Sequence, residues 1–386
     1  MPPSTPLYGQ DFLILGDDTL LIIFVHEREW LHYDVRYRYW TESGLSDVES
    51  LFYEDTSFFE AQDTRSIRQT NGTTWILGFG LAGPSRGAYN EGSGWITANP
   101  PTHLSWHHLT IGPDEYPWYF GSGTPGSIYY NRWNGSSWTP LEHLPGGLGY
   151  DVFRTMNKED SLILWSSFGY GFYPDIEYFF FRNVYYDGSW TGPETLLHFS
   201  TREPDYKSFF QLNDTTLFFA KLDYMADEES LKISVVTYCG SETIKSDLDS
   251  FPVLSGWYMG YWPEPSFSLD SAGYPWLTWY ANPCSLIVPT VNSARIAKWD
   301  FNEWIMIEDY FRPTTGVVNP KLLFRENPED LYLLWWEPNT NERWGCRGTY
   351  TSISEETIET PEKINISAYP NPFNSAVTIA IEGVGD

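Results

Sequence analysis

The sequence predicts an all-β fold, a seven-bladed β-propeller of four-stranded antiparallel blades followed by a short C-terminal tail. Short apolar strands recur along the chain, and their successive starts lie 43 to 59 residues apart. A turn containing Asp, Asn or Gly precedes each of them, as is typical of β-hairpins. A repeat period in this range is typical of propeller blades. The recurring strands start at Leu20, Trp75, Trp118, Leu162, Leu217, Trp276 and Leu331.

Each repeat has the pattern of a four-stranded meander. The first strand ends at the polar turn, and the second strand is a run such as Leu162-Ile163-Leu164-Trp165, which is apolar enough to be buried on both faces. The third strand leads to a second turn flanked by aromatic residues, as in Trp133-Asn134-Gly135-Ser136-Ser137-Trp138. We expect the blades to span 8–54, 55–103, 104–146, 147–199, 200–251, 252–311 and 312–354.

The aromatic content of 18% follows from this architecture. A single meander cannot bury both of its faces, so neighbouring blades must stack around an axis. Large Trp, Tyr and Phe side chains then fill the wedge between blades, and most of them need no ligand to explain their presence.

Length and composition limit the organisation and the partners of the chain. A ring over 1–354 absorbs nearly all of the 386 residues, which leaves a linker at 355–366 and a tail at 367–386. A formal net charge of −28 with 23 Lys and Arg residues excludes a nucleic-acid partner. No apolar run is long enough for membrane insertion. The three cysteines lack zinc-site spacing, so we expect no metal site and no cofactor, with calcium left open.

The tail contains a short motif that resembles a known secretion signal. Tyr369, Pro370, Asn371, Pro372, Phe373 and Asn374 stand before a strand-like run at 376–381. This segment resembles the opening of the C-terminal sorting domain of type IX secretion cargo, a small β-sandwich. The family's domain has several further strands after this motif, so we expect the β-sandwich to be incomplete here. The resemblance implies an extracellular protein, or one on the bacterial outer cell surface, which meets the type IX secretion machinery through its tail.

Two of the turns give the ring a second resemblance. Thr70-Asn71-Gly72-Thr73-Thr74-Trp75 and Ser268-Leu269-Asp270-Ser271-Ala272-Gly273-Tyr274-Pro275-Trp276 are similar to the Asp-box turn of sialidase-like bacterial propellers. The resemblance implies that the acidic residue and Gly close the hairpin while Trp packs inward, away from the active face. The converging Arg motif of a sialidase is not found near the N-terminus.

Ligands are expected at the loops that join second to third strands and blade to blade, because both open on one face of a propeller. Long, varied loops on a rigid scaffold commonly carry function. Aromatic faces beside carboxylates and Arg suit a sugar, whose C–H face stacks while its hydroxyls hydrogen-bond. The 257–262 aromatic cluster is either such a platform or packing over the channel mouth. The candidate ligand-binding residues are Trp30, Tyr33, Tyr170, Tyr173, Asp205, Trp257, Tyr258, Tyr261, Trp262, Glu264, Trp344, Arg28, Arg202 and Arg343.

Three classes of function remain open from the sequence. The first is a propeller that binds a glycan or an extracellular protein through its loop face. The second is a glycoside hydrolase or polysaccharide lyase at the same face, which would need paired carboxylates or a His or Tyr base. The third is a structural or protein-interaction module. Catalytic residues cannot be named, and the carboxylates considered are Glu27, Glu29, Asp175, Glu177, Asp205 and Glu264.

Overall fold

The computed structural model of the protein divides the chain into two compact units, Met1–Arg202 and Glu203–Asp386. Each unit is a series of β-sheets. The described residues are 10–16, 19–29, 32–52, 61–80, 85–101, 104–123, 126–146, 154–158, 160–172, 175–201, 204–213, 216–225, 230–239, 242–252, 265–270, 272–281, 293–300, 302–311, 318–324, 330–337, 342–349, 364–370 and 376–383.

The first unit contains blades 1 to 4. Blade 1 has β1 (Gln10–Gly16), β2 (Thr19–Glu29), β3 (His32–Thr41), β4 (Gly44–Leu45) and β5 (Glu49–Phe52). Blade 2 has β6 (Ala61–Arg68), β7 (Thr74–Gly80), β8 (Arg86–Asn90) and β9 (Trp95–Thr97). Blade 3 has β10 (Ser105–Ile111), β11 (Pro117–Ser122), β12 (Ile128–Arg132) and β13 (Glu142–His143). Blade 4 has β14 (Arg154–Lys158), β15 (Ser161–Phe172), β16 (Asp175–Tyr186), β17 (Ser189–Trp190) and β18 (Glu194–Thr201).

The second unit contains blades 5 and 6 and the last sheet. Blade 5 has β19 (Pro204–Asn213), β20 (Thr216–Met225), β21 (Ser230–Cys239) and β22 (Glu242–Pro252). Blade 6 has β23 (Ser266–Leu269), β24 (Pro275–Ala281), β25 (Ser293–Trp299) and β26 (Trp304–Phe311). The last sheet has β27 (Val318–Phe324), β28 (Asp330–Glu337), β29 (Glu342–Thr349), β30 (Ile364–Pro370) and β31 (Ala376–Gly383).

Blades 1 to 6 confirm the four-stranded antiparallel meander, and the last sheet departs from the expected seventh blade. In blades 1 and 4 the outer position is shared by two short strands, because β4 and β5 both pair with β3, and β17 and β18 both pair with β16. In the last sheet only β27, β28 and β29 form the antiparallel meander. The next position is taken by β31, which runs parallel to β29 with Gly345 opposite Ala376. An edge strand exposes unpaired backbone groups, and the tail hairpin of β30 and β31 covers those of β29.

The second-to-third strand loops that the sequence predicts at 26–34 in blade 1 and 167–177 in blade 4 are extended hairpins instead. β2 and β3 pair until Glu29 meets His32, and β15 and β16 pair until Phe172 meets Asp175. Cross-strand pairing satisfies backbone groups that a loop would leave to water, which favours extending the strands. Predicted loops in blade 5 and the last sheet are shortened in the same way, by β20 with β21 and by β28 with β29.

The core of the first unit lies between successive blades. Side chains alternate along each second strand, so β11 directs Trp118 and Phe120 towards blade 4 and Tyr119 towards blade 2. Trp118, Tyr119 and Phe120 are all fully buried. Burial of such a side chain stabilises the fold by roughly 1.5–3 kcal/mol. In this strand the aromatic side chains have the packing role expected from the sequence.

The second unit has the same kind of core between blades 5 and 6. Phe218 and Trp279 are fully buried in one cluster, and Trp299 and Trp304 close it from the third and fourth strands of blade 6. The ring centroid of Phe218 lies 5.3 Å from that of Trp299 and 5.4 Å from that of Trp304, and both contacts are edge-on. The flanking aromatic residues of the Trp299-to-Trp304 turn therefore pack inward rather than forming a surface platform. No helix among the described residues of either unit is long and apolar enough to cross a membrane.

The turn between the first and second strands repeats in blades 2, 3 and 6. Its first residue is Gln69, Gly112 or Asp270, whose amide donates to the carbonyl four residues later and whose carbonyl accepts from the amide three residues later. The residue three positions after the first has positive φ, which is why it is glycine in two of the blades, Gly72 and Gly273. A buried Trp lies six residues after the first residue of each turn, and its indole N–H needs a hydrogen-bond acceptor.

The partner of the indole N–H is part of the same turn in each blade. Trp276 Nε1 donates to Asp270 Oδ2 at 2.9 Å, while Asp270 Oδ1 accepts from the amides of Ala272 and Tyr274. Trp118 Nε1 donates to Asp114 Oδ1 at 2.8 Å. In blade 2 the acceptor is Gln69 Oε1 at 2.8 Å, while Asn71 Oδ1 accepts from the Thr73 amide within the turn. A neutral amide serves equally because the indole needs one acceptor and no charge.

Replacing Asp270 with Ala removes three hydrogen bonds and leaves the Trp276 indole N–H without an acceptor. We expect Asp270→Ala to lower the free energy of unfolding by roughly 2–3 kcal/mol, measured by urea denaturation. Asp270→Asn retains an acceptor, so we expect it to lower the free energy of unfolding clearly less than Asp270→Ala does. Equal losses for the two variants would contradict the assignment of the side chain as a turn acceptor.

Buried tyrosines make the fold sensitive to alkaline pH. Burial raises the pKa of Tyr37, Tyr119 and Tyr130 above the ordinary tyrosine value, and the hydrogen bonds to Glu49 and Glu142 raise those of Tyr37 and Tyr130 further. A raised folded pKa gives stability that is complete below the unfolded pKa of about 10 and is lost as the pH rises beyond it.

We therefore expect the melting temperature to fall steeply once the pH exceeds about 10. Thermal denaturation between neutral and strongly alkaline pH measures this. Tyr130→Phe should reduce the slope, since one titrating phenol is gone. A melting temperature that stays level across that range would contradict the role of burial.

Candidate functional site

The predicted ligand-binding residues lie at the second-to-third strand end of the blades or outside the described residues. Arg28 and Tyr33 belong to the β2–β3 hairpin, and Tyr170 and Asp205 lie in β15 and β19. Arg343 and Trp344 lie in β29, opposite Trp336 and Trp335. Only backbone positions are described for these six residues. Outside the described residues are Trp30, Tyr173, Arg202, Trp257, Tyr258, Tyr261, Trp262 and Glu264.

Glu177, one of the carboxylates considered for catalysis, makes a contact at the surface. Its Oε2 lies 3.5 Å from His198 Nε2, and both side chains are 47% exposed. The His198 ring stacks on Phe179 with 4.4 Å between the ring centroids. Glu177 therefore belongs to a surface pair across β16 and β18.

A pocket of about 390 Å³ lies between blades 3 and 4. It is at the end of the blades that carries the first-to-second and third-to-fourth strand turns, opposite the end predicted to bind ligand. Its size is within the range of small-ligand pockets. The lining residues are Pro113, Asp114, Trp118, Arg132, Asp160, Tyr185, Tyr186, Asp187 and Gly188.

The inner wall of the pocket is aromatic. Trp118 is fully buried and Tyr185 meets it edge-on at 4.8 Å between the ring centroids. Arg132 lies opposite Trp118 on the next strand, and its Cζ is 5.2 Å from the indole centroid. Arg132 Nη2 reaches Glu142 Oε1 at 3.5 Å, while its Nε is buried with no acceptor among the described residues. The guanidinium is thus held between an aromatic face and a carboxylate.

The outer rim of the pocket consists of turn residues. Asp187 and Gly188 form a two-residue hairpin turn with φ of 49° and 77°, as the commonest β-hairpin connection requires. This turn leaves Tyr186 61% exposed beside the pocket. Asp160 precedes β15, and Asp114 lies within the turn before β11. All three carboxylate side chains are exposed at the mouth of the pocket.

This arrangement can bind a small polar ligand that has an apolar face. Tyr186 offers an exposed aromatic surface, the carboxylates of Asp114, Asp160 and Asp187 accept hydrogen bonds, and Arg132 supplies a positive charge. A small number of polar groups around an aromatic wall is typical of ligand pockets. Among the described residues no group of three His, Cys, Asp or Glu side chains is arranged to hold a metal ion.

The sequence contained a signal for this pocket that the prediction interpreted only as turn chemistry. Asp114 and Asp160 mark the same turn in adjacent blades, and Tyr186-Asp187-Gly188 is the third-to-fourth turn between them. The resemblance to Asp-box turns assigned this end of the blades a structural role. What distinguishes blades 3 and 4 is the exposed aromatic residue next to acidic turns on both sides of one blade interface.

Comparisons with solved structures show the β-propeller fold. A crystal structure of the BP39L lectin from Burkholderia pseudomallei matches with a TM-score of 0.55 and 12% sequence identity, over 89% of this chain and 95% of the lectin. The polysaccharide lyase Uly1 matches with a TM-score of 0.51 and 11% identity, over 86% of each chain. The chain has a β-propeller fold. No protein-family model matches the sequence, and no curated protein matches it either.

Trp118 and Tyr186, two of the three aromatic residues that line the pocket, should differ sharply in their effect on stability. Trp118→Ala removes a fully buried indole, and we expect a loss of about 3–5 kcal/mol in the free energy of unfolding. Tyr186→Ala removes an exposed side chain and should change it by less than about 0.5 kcal/mol. Urea denaturation of both variants measures this. A large loss for Tyr186→Ala would assign this residue to the core instead of the pocket rim.

Proposed function

We propose that the protein is a secreted or surface-displayed β-propeller that binds carbohydrate. The observation that carries the proposal is the pocket between blades 3 and 4, where the exposed Tyr186 stands beside hydrogen-bonding carboxylates and Arg132. A sugar ring stacks its C–H face on an aromatic ring while its hydroxyls need directional polar partners. The structural likeness to a lectin and to a polysaccharide lyase supports a carbohydrate as the ligand class.

We further propose a second binding region at the second-to-third strand end of the blades. Its proposed members are Trp257, Tyr258, Tyr261 and Trp262, which form an aromatic-rich segment of the sequence, and Glu264, all outside the described residues. If they form a platform, a long polysaccharide could contact residues beyond a single pocket. We further propose that the ring has seven blades, with the sheet of β27, β28 and β29 as the last.

An enzyme acting on polysaccharide is the second candidate. The likeness to the lyase Uly1 favours it, since the two chains match over 86% of each. A lyase needs a base near the sugar together with neutralisation of a carboxylate on the substrate, and the tyrosine, histidine and arginine residues near the second-to-third strand ends are the available groups. A purely protein-binding propeller is the third candidate.

Export through the type IX secretion system is proposed from the tail. The support is the motif from Tyr369 to Asn374 and the resemblance that it carries. A reporter protein fused to residues 355–386 and expressed in a bacterium with this system would test recognition of the tail. Retention of the reporter inside the cells, with a complete sorting domain exported as the control, would contradict it.

The test of binding uses the purified chain and a panel of plant, algal and animal polysaccharides. We expect at least one polymer to be retained, and Tyr186→Ala to weaken retention about tenfold, whereas Tyr186→Phe keeps the aromatic face and should retain most of the affinity. Chromatography of the same mixtures separates the candidates. Unsaturated products would establish a lyase, and absence of binding to every polymer would contradict the proposal.

Substitutions at the second region decide whether it takes part. Trp257→Ala and Trp262→Ala are expected to weaken polysaccharide binding while leaving the melting temperature nearly unchanged, because a ligand platform contributes little to folding. Binding assays and thermal denaturation on the same preparations measure both. A large fall in melting temperature with unchanged affinity would assign these residues to packing.

A further inference from the structure

We infer that the pocket between blades 3 and 4 selects sugars that carry a free amino group, such as oligosaccharides of glucosamine. This inference rests on the proposed function and specifies the ligand class of the same site. It comes from the charges around the pocket, from an internal parallel in blade 6, and from the size of the cavity.

The pocket has an excess of negative charge. Asp114, Asp160 and Asp187 line it together with one cation, Arg132. The Arg132 guanidinium is already placed over Trp118 and within 3.5 Å of Glu142, which lies outside the lining. A ligand therefore meets carboxylates whose charge is only partly compensated, so a positive group on the ligand is favoured over a neutral or acidic one.

The carboxylates are also available for hydrogen bonding. Asp114 uses Oδ1 for the Trp118 indole at 2.8 Å and for the Tyr116 amide at 3.3 Å, which leaves Oδ2. The side chains of Asp160 and Asp187 make no hydrogen bond or ion pair with any described residue. An ammonium group has three donors and no acceptor, so it matches a rim made of acceptors.

An organic cation fits the pocket better than a metal ion does. Calcium needs six to eight oxygen ligands converging at short range. Among the described residues, which include all three aspartates, no such group of ligands is arranged. Carboxylates spread around an aromatic wall instead suit a bulky ligand whose charge is at one edge.

Blade 6 shows how the same kind of turn accommodates an ammonium group. Lys298 lies opposite Trp276 in the register, where blade 3 has Arg132 opposite Trp118. Lys298 Nζ lies 3.6 Å from Asp270 Oδ2, 4.2 Å from the Tyr274 ring centroid and 5.2 Å from that of Trp276. A primary ammonium is thus stable between the turn carboxylate and aromatic faces in this chain.

The size of the pocket favours an amino sugar over the lysine of a protein partner. A cavity of about 390 Å³ is wider than one side-chain ammonium requires, and Tyr186 offers a ring face at its edge. A pyranose ring uses both features because it stacks while its amine points to the carboxylates. The net charge of −28 also attracts cationic oligosaccharides from a distance.

The inference is tested with two tetrasaccharides that differ in one group, β1,4-linked glucosamine and its N-acetylated counterpart. Calorimetry is done at about pH 5, where Asp carboxylates are ionised and the amines of the sugar are protonated. We expect the free amine to bind about tenfold more tightly than the acetylated sugar. The difference should shrink when the salt concentration rises, since salt screens exposed charges.

Variants separate binding in the pocket from general attraction to an acidic protein. Asp187→Asn removes a charge and keeps a residue that tolerates positive φ, so the turn is preserved. We expect Asp187→Asn and Asp160→Asn each to weaken binding of the amino sugar about fivefold, and Tyr186→Ala about tenfold. Glu91→Gln changes an exposed acid outside the pocket and is the matched control, expected to leave binding unchanged.

Four outcomes would contradict the inference, each in a different way. Equal binding of the two sugars, reduced by Tyr186→Ala, would overturn the charge selection and leave carbohydrate binding in place. Binding of neither sugar, nor of any polysaccharide in the panel, would overturn both. Loss of affinity in Glu91→Gln equal to that in Asp187→Asn would show general attraction only. Tighter binding of a lysine-rich peptide than of the amino sugar would assign the pocket to a protein partner and overturn the inference.

Discussion

The second strand of each blade carries apolar side chains on both faces, and both faces must be covered. In blade 3 this means that Trp118 and Phe120 face one neighbour while Tyr119 faces the other. A strand that is apolar on two sides is stable only between two other sheets. Serial packing of blades follows from this constraint, and so does the placement of aromatic residues on third and fourth strands, where they fill the wider part of each wedge.

The same constraint produces the repeated turn. A buried Trp brings an indole N–H into a space where water is absent, so an acceptor must come from the protein. The turn preceding the strand supplies it through Asp270, Asp114 or Gln69. Carboxylates are therefore placed at the turn end of the blades for structural reasons, next to aromatic rings. Where two acidic turns and an exposed Tyr186 meet at one blade interface, this structural arrangement also makes a pocket.

A site of this kind is rigid because its parts are held by the core. Trp118 cannot move without disturbing the blade interface, and Arg132 lies over it with Glu142 beyond. Tyr186 and the turn carboxylates face solvent. The exposed groups at the mouth of the pocket contribute little to the stability of the fold, whereas the buried residues of its inner wall contribute much. This arrangement is the one expected of a preformed binding site.

Much of the fold was readable from the chain alone. The strand starts at Trp75, Trp118 and Leu162 identified successive blades because a local turn and an apolar run recur at a nearly constant distance. The inward packing of the aromatic residues around Trp299 and Trp304 followed from the same pattern. The hairpin turn at Asp187 and Gly188 was visible as well, since its residues tolerate positive φ.

The site and the end of the last sheet were decided by tertiary structure. Asp114, Asp160 and Tyr186 are far apart in sequence, and only the stacking of blades 3 and 4 brings them to one pocket. The predicted loops of blades 1 and 4 became paired strands because hydrogen bonding across the hairpin outweighs local turn preferences. β31 lies beside β29 because the open edge of a sheet accepts any strand within reach. Local pattern determined which segments are strands and turns, whereas packing decided which of them meet.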